Sequence, residues 1–246
     1  MKLISLNTWG GIVKDELQDF ITKQSADTDI FCFQEIFDNA VNARIDVLGD
    51  IDINLYATIT KLLPDHKGYH APSQDDDEGL AIFVKPHIKL NEIGDVFVHR
   101  YRNAMENDDG TTIGRNIQYA QFTENDQDYT VINFHGLWNG GGKTDSPDRL
   151  NQSHKIREFI DTKGKGKIVL VGDFNLEPNT ESVAILEKGM RNLIKENGIT
   201  STRSHHYTKP VKFADYAIVS NDLNVERFEV LQDPVSDHLP LLLEFS

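Results

Sequence analysis

The sequence predicts an α/β protein in which two packed β-sheets lie between outer helices. Three observations carry this. The element order is strand–helix–strand, then a β-rich middle, then strand–helix–strands. The patterns amount to about ten strands, more than one open twisted sheet readily holds. Two of the strands, Ile30–Ile36 and Ile168–Val171, are apolar nearly throughout, which suits burial on both faces. Two sheets packed face to face with helices outside accommodate all three.

Met1–Leu6 reads as the first strand, and Val13, Leu17, Phe20 and Ile21 follow at helical spacing. After Ile30–Ile36, Val41, Ile45 and Leu48 suggest a short helix. Leu55, Ile59 and Leu62 suggest another, stopped by Pro64. Strands are expected at Leu80–Val84, Lys89–Val98, Arg115–Phe122 and Tyr129–Phe134, the last two joined by a hairpin turn at Asn125–Asp128. A loop rich in Gly, Asn and Asp spans Gly136–Asp148. Leu150, Ile156, Phe159 and Ile160 mark a helix, and Glu181–Lys188 and Met190–Asn197 two more. Phe213–Val219, Val225–Leu231 and Leu239–Phe245 close the chain as strands. No Pro/Gly/Ser linker or repeat interrupts residues 1–246, so a single domain is expected.

Composition narrows the function classes. At 246 residues, 39% hydrophobic and 26% charged, the chain can bury a substantial core. No apolar run approaches a membrane span, and the N-terminal M-K-L-I-S-L-N-T-W turns polar too soon for a secretory signal. A cytoplasmic protein without membrane contact is expected, and a monomer. The single cysteine, Cys32, excludes an intramolecular disulfide and a thiolate metal cluster. A net charge of −14 opposes docking on long duplex DNA. The acidic run Asp75–Glu78 reads largely as a solvated loop.

The chemistry-bearing residues sit at strand ends. Asn7 follows L-I-S-L, Glu35 lies in F-C-F-Q-E-I, and His135 ends T-V-I-N-F-H. Asp173 and Asn175 end I-V-L-V-G-D-F-N. Asp215 lies in K-F-A-D-Y-A-I-V, and Asp237-His238 precedes L-P-L-L-L. If the chain stays extended, Asp173 and Asn175 share a face. Each residue alone also suits an ordinary turn, strand-end or core role. Several acids, amides and histidines in such positions point to one shared polar cavity, because a carboxylate in an apolar strand is costly unless paired or metal-bound. Carboxylate and amide oxygens without thiolates favour Mg²⁺, with Mn²⁺ the alternative. A hard cation, a carboxylate to prepare water and histidines near phosphate oxygens make a phosphoester hydrolase.

These residues and motifs (S-L-N7-T-W, F-Q-E35-I, N-F-H135, G-D173-F-N175, D215-Y-A-I-V-S and S-D237-H238-L-P-L) resemble, in order and over nearly the whole chain, the endonuclease/exonuclease/phosphatase superfamily of deoxyribonuclease I-like metal-dependent phosphoesterases. The resemblance implies a four-layer α/β sandwich of two mixed sheets flanked by helices. It implies Glu35 as the main Mg²⁺ ligand beside Asn7, with Asp237 completing the metal site. Asp173 would orient or deprotonate water, and Asn175 would hold water or a phosphate oxygen. His238, oriented by Asp215, would contact the scissile phosphate. His135 would protonate the leaving oxygen or stabilise the transition state, and Glu78 resembles its acidic partner in some branches.

Around this set, Arg115 is placed to reach phosphate and Trp138 to shape the pocket rim, whereas Trp9 suits rim or core. The tract Gly136–Thr144 looks like a phosphate loop, but a Walker spacing needs Gly at 137, which is Leu. It is read as a mobile substrate loop beside His135. Surface salt bridges are the expected role of Lys143 and Arg149, with contact to substrate charge the alternative, and His205-His206 reads as plain loop. The expected partner is a phosphoester substrate, a small molecule or nucleic acid, with small or flexible substrates ahead of duplex DNA. The alternatives are a nuclease or DNA-repair phosphodiesterase and, behind it, a non-catalytic binding module.

Overall fold

The computed structural model describes residues 1–41, 50–74, 78–102 and 114–246. Among these, twelve strands form two six-stranded mixed sheets. The first holds β1 (Lys2–Asn7), β2 (Ile30–Ile36), β3 (Lys67–Pro72), β4 (Gly79–Val84), β11 (Val225–Val230) and β12 (Leu241–Phe245), in the order β11-β12-β1-β2-β4-β3. The second holds β5 (Leu90–His99), β6 (Arg115–Glu124), β7 (Gln127–His135), β8 (Lys167–Asp173), β9 (Met190–Asn192) and β10 (Asp215–Ser220), in the order β5-β6-β7-β8-β10-β9.

Each sheet has one parallel pair near its centre, β1–β2 and β7–β8, and its other pairings are antiparallel. Parallel neighbours need a crossover, and helices supply both. Helix α1 (Lys14–Ser25) joins β1 to β2, and with α2 (Leu55–Leu62) it covers the first sheet. There Leu17, Phe20, Ile21, Leu55 and Ile59 meet Ile4, Leu6, Phe31, Phe33 and Phe83. Helix α3 (Pro147–Lys163) joins β7 to β8. It starts where Ser146 accepts from the Arg149 N–H and Pro147 takes a position that needs no donor. Its Ile156, Phe159 and Ile160, with Val183 and Leu186 of α4 (Glu181–Leu186), pack on the second sheet.

Strand alternation sets what faces inward. Along β1, Ile4 and Leu6 face the helices, so Leu3, Ser5 and Asn7 face the other sheet. Cys32 and Gln34 of β2 do likewise. Gln34 Nε2 donates to Asn133 Oδ1 of β7 at 2.6 Å, and Asn133 Nδ2 donates back to the Phe33 carbonyl at 2.9 Å. This buried pair locks the two parallel pairs face to face, so the C-terminal ends of β1, β2, β7 and β8 converge.

The expected strands are present, with two differences in the elements. Met190–Asn192, expected as helix, pairs with β10 as a short strand, and only α5 (Leu193–Glu196) is helical. Three residues are too few to show a period, and Asn192 caps the helix by accepting from the N–H groups of Ile194 and Lys195. The edge strand β3 was not expected, because K-G-Y-H-A-P has little apolar alternation and ends in proline. The Asn125–Asp126 turn has both residues at positive φ, 50° and 61°, matching a tight hairpin. Of the helix expected from Val41, Ile45 and Leu48, the last two residues lie outside the described residues. Among the described residues no helix is long and apolar enough to cross a membrane.

Candidate active site

Four strand ends build the floor of one cavity of about 320 Å³. Asn7 ends β1, His135 ends β7 and Asp173 ends β8, with His135 and Asp173 in register. Glu35 reaches the same point through a bulge. The β2–β4 register shifts between Gln34 and Ile36, and Glu35 adopts φ 57°, a strained value for a glutamate. Thr8 holds the bulge, its hydroxyl donating to the carbonyls of Gln34 at 2.9 Å and Glu35 at 3.1 Å.

Asp173 and Asn175 line the cavity together, but not through extended geometry. The strand stops at Asp173, Asn175 turns to φ 53°, and its N–H donates to Asp173 Oδ1 at 2.8 Å. The turn brings both side chains to the cavity where an extended chain was expected. Gly136 abuts this turn, its N–H donating to the Asp173 carbonyl at 2.7 Å.

Asp173 Oδ2 is the centre of the cluster. Asn7 Nδ2 donates to it at 3.0 Å and to Glu35 Oε1 at 2.9 Å. His238 Nε2 lies 3.4 Å from it and His135 Nε2 3.7 Å. The Asn7 oxygen accepts from the Trp9 N–H at 3.0 Å, which fixes the amide orientation. As placed, Asn7 donates to two acids, Glu35 and Asp173.

The two imidazoles are pushed in opposite directions by their surroundings. Burial is the largest influence on His238 and disfavours its charge, but Asp215, with both carboxylate oxygens 2.8–2.9 Å from Nδ1, together with Asp173 and Asp237 raises the histidine above its ordinary value. Burial, helped by Arg115, pushes His135 down to about 4. Arg115 Nη1 lies 3.4 Å from His135 Nδ1 and pairs closely with Glu78. An arginine can only donate, so the neutral ring carries its proton on Nε2, toward the cavity. Burial alone would raise Asp173, yet His238, His135, Arg203 and Lys143 hold its carboxyl well below the usual range.

The acids that could hold a cation stand out by what they lack. Glu35, Glu78 and His135 offer ligand atoms within 4.8 Å of one another, but Glu78 and His135 Nδ1 already face Arg115. Burial, then the Glu78 charge, pushes Glu35 up to about 8. Asp237 Oδ2 accepts from Arg203 Nη1 at 2.6 Å, while its buried Oδ1 has no hydrogen-bond partner. An under-compensated glutamate and an orphaned aspartate oxygen are hard donors, so the residues fit a divalent cation such as Mg²⁺.

Each residue expected in the site is here: Trp138, Arg115 and Glu78 line the cavity with Glu35, His135, Asp173, Asn175, Asp237 and His238, while Asn7 and Asp215 stand directly behind. The cavity also takes Lys143, for which surface salt bridging was the first expectation, and Arg203, Tyr207 and Lys209, which sequence reasoning missed. Arg203 comes in because its backbone bridges His238, and its guanidinium lies 4.1 Å from the Tyr207 ring centre. No motif flags these three, although they lie close before Asp215 in sequence. Among the described residues Lys143 and Arg149 do not form the expected surface salt bridges. Lys143 is 4% and Arg149 2% exposed, and both bind carbonyls. The Gly136–Asp148 loop is anchored at Leu137 and at Lys143–Asp145. Arg149 donates to the carbonyls of Leu137 and Thr144, the Lys143 carbonyl accepts from the Glu177 N–H, and Asp145 holds Ser182.

Comparison with known proteins agrees with this geometry. The model of the Endonuclease/Exonuclease/phosphatase family matches residues 4–238. No curated protein matches the chain. Among solved structures, an endonuclease/exonuclease/phosphatase family protein from Bacteroides thetaiotaomicron is similar over 100% of this chain and 94% of its own, with TM-score 0.76 and 17% identity. A mannosyl-6-phosphatase from the same organism is similar over 100% and 99%, with TM-score 0.75 and 18% identity. D. rerio TDP2 complexed with single-strand DNA product is similar over 100% and 98%, with TM-score 0.73 and 16% identity.

Proposed function

Since the chain belongs to the endonuclease/exonuclease/phosphatase family of phosphoesterases, we propose that it is a Mg²⁺-dependent hydrolase of phosphomonoester or phosphodiester bonds in small or flexible substrates, with Asp173 preparing the attacking water. The observation that carries this reading is Asp173 Oδ2 lying 3.4 Å from His238 Nε2 and 3.7 Å from His135 Nε2 within one cavity, where the surroundings raise one imidazole and lower the other. Groups whose surroundings push them to opposite protonation states divide acid, base and donor roles.

Asp173 stays ionised across the working pH range, so it always accepts a hydrogen bond from water and aims the oxygen lone pair at phosphorus. Asn175 holds that water or a phosphate oxygen from the other side of the turn. His238, raised above an ordinary histidine and held at Nδ1 by Asp215, turns its Nε2–H to the phosphate. A histidine at about 4 is protonated in only about one molecule in a thousand at neutral pH. His135 therefore donates its Nε2 hydrogen bond to a phosphate oxygen, in preference to delivering a proton. Glu35 and Asp237 would hold Mg²⁺, and the ion, when bound, neutralises phosphate charge as it builds.

A net charge of −14 favours small substrates over duplex DNA. The test is hydrolysis of a panel with and without Mg²⁺ or Mn²⁺. The panel holds p-nitrophenyl phosphate, bis-p-nitrophenyl phosphate, sugar and inositol phosphates, single- and double-stranded DNA and a 5′-tyrosyl oligonucleotide. Asp173→Asn serves as control and should lower kcat by about 10³-fold without unfolding the protein. Wild-type activity in that variant would remove Asp173 from the mechanism. Preference for long duplex DNA would overturn the assignment to small substrates.

A further inference from the structure

Lys143 is a buried cation of the cavity that the mechanism above leaves unused. It lines the same wall as Asp173, Asn175 and His238. Its backbone is tied to the catalytic turn, since its carbonyl accepts from the Glu177 N–H at 2.8 Å, two residues past Asn175. Its ammonium donates to the Phe213 carbonyl at 2.7 Å, two residues before Asp215, and sits 5.1 Å from the Tyr207 ring centre. The position is therefore held from both sides.

The other buried cations of this cavity each face a carboxylate. Arg115 faces Glu78, Arg203 faces Asp237, and His238 faces Asp215. Lys143 has no carboxylate within ion-pair distance among the described residues. An ammonium has three donors, and Phe213 uses one. Taking such a charge out of water is costly unless an anion meets it. A lysine kept only for packing would gain more as methionine, so the cost points to an anion arriving from outside.

We propose that Lys143 is a catalytic residue that binds a non-bridging oxygen of the scissile phosphate, and that its charge selects phosphomonoesters over phosphodiesters. The assignment rests on the hydrolase reading and settles which ester class the site takes. A monoester presents two negative charges at neutral pH and a diester one. Beside Asp173 and Asp237, the second negative charge needs a further cation, and Lys143 supplies it from a wall with little water to screen the interaction. A diester places a neutral ester oxygen where a charged one would meet the ammonium.

The test compares kcat/KM for p-nitrophenyl phosphate and bis-p-nitrophenyl phosphate, which share a leaving group, in wild type, Lys143→Met and Lys143→Arg. The methionine variant should lose on the order of 100-fold on the monoester and on the order of 10-fold on the diester. Arginine should restore part of the monoester rate. Equal losses on both esters would overturn the selectivity. The second readout is thermal unfolding with and without inorganic phosphate. Lys143→Met should unfold at or above the wild-type temperature and lose the stabilisation by phosphate. A variant that unfolds earlier yet keeps that stabilisation would make Lys143 structural and defeat the proposal. If wild type cleaves neither ester, the hydrolase reading fails and the catalytic role of Lys143 with it, and phosphate stabilisation lost in Lys143→Met would leave Lys143 as an anion-binding residue only.

Discussion

Replacing Asp215 by asparagine removes the charge behind His238 while keeping size and a hydrogen-bonding group. Both carboxylate oxygens lie 2.8–2.9 Å from His238 Nδ1, and the two residues are 3% and 2% exposed, so water screens the pair little. A hydrogen bond between charged groups contributes about 1.5–3 kcal/mol. At about 1.4 kcal/mol per pKa unit, that is roughly one to two units on the imidazole. Burial and Arg203 push His238 down, while Asp215, Asp173 and Asp237 hold it up. With Asp215 neutral the balance reverses, and His238 should titrate below an ordinary histidine. The imidazolium fraction near neutral pH then falls, and kcat/KM at saturating Mg²⁺ should fall with it. The assay is an NMR titration of the His238 ring alongside steady-state kinetics. The expected result is a midpoint above that of a free histidine in wild type and below it in Asp215→Asn, with activity partly recovered at lower pH. An unmoved midpoint would refute the claim that Asp215 sets the charge of His238.

Glu35 makes metal binding pH-dependent. With Glu35 pushed up to about 8, the folded ion-free protein keeps a proton that the unfolded chain releases near the ordinary value of 4.5. Stability therefore falls as pH rises between those values, and a bound divalent ion should restore it, so Mg²⁺ should raise Tm more at pH 8 than at pH 6. Calorimetry in buffers of different ionisation enthalpy should show proton release on binding, lost in Glu35→Gln; release that persists there would assign the proton elsewhere. Gly136→Ala should be disruptive although the added group is only a methyl. Its Cβ would sit 2.2 Å from the Phe174 carbonyl, inside the turn between Asp173 and Asn175. Backbone shift should cost about 1–3 kcal/mol in chemical denaturation, with a larger loss in kcat. Wild-type stability and turnover in Gly136→Ala would show that the turn has slack.

What the sequence determined by itself is the set of strand ends and their polar tips. Apolar runs such as Ile30–Ile36 and Ile168–Val171 mark strands because burial on both faces leaves no polar alternation. A polar residue at the end of such a run has few reasons to be there, so Asn7, Glu35, His135, Asp173, Asp215 and His238 could be singled out along one dimension. The pairing of the parallel strands through helices then brings these tips together. The tertiary structure alone decided how the tips are aimed. The left-handed turns at Glu35 and Asn175 cannot be read from composition, because neither residue is glycine. The direction of the Asn7 amide depends on one backbone N–H, that of Trp9. Lys143 and Arg149 look like surface charges in sequence and are buried against carbonyls, because burial depends on what packs over a loop. Arg203, Tyr207 and Lys209 enter the cavity only because Arg203 pairs with His238, 35 residues later in the chain. Local sequence reports which side chains could do chemistry; long-range pairing determines which share a cavity and what charge each carries there.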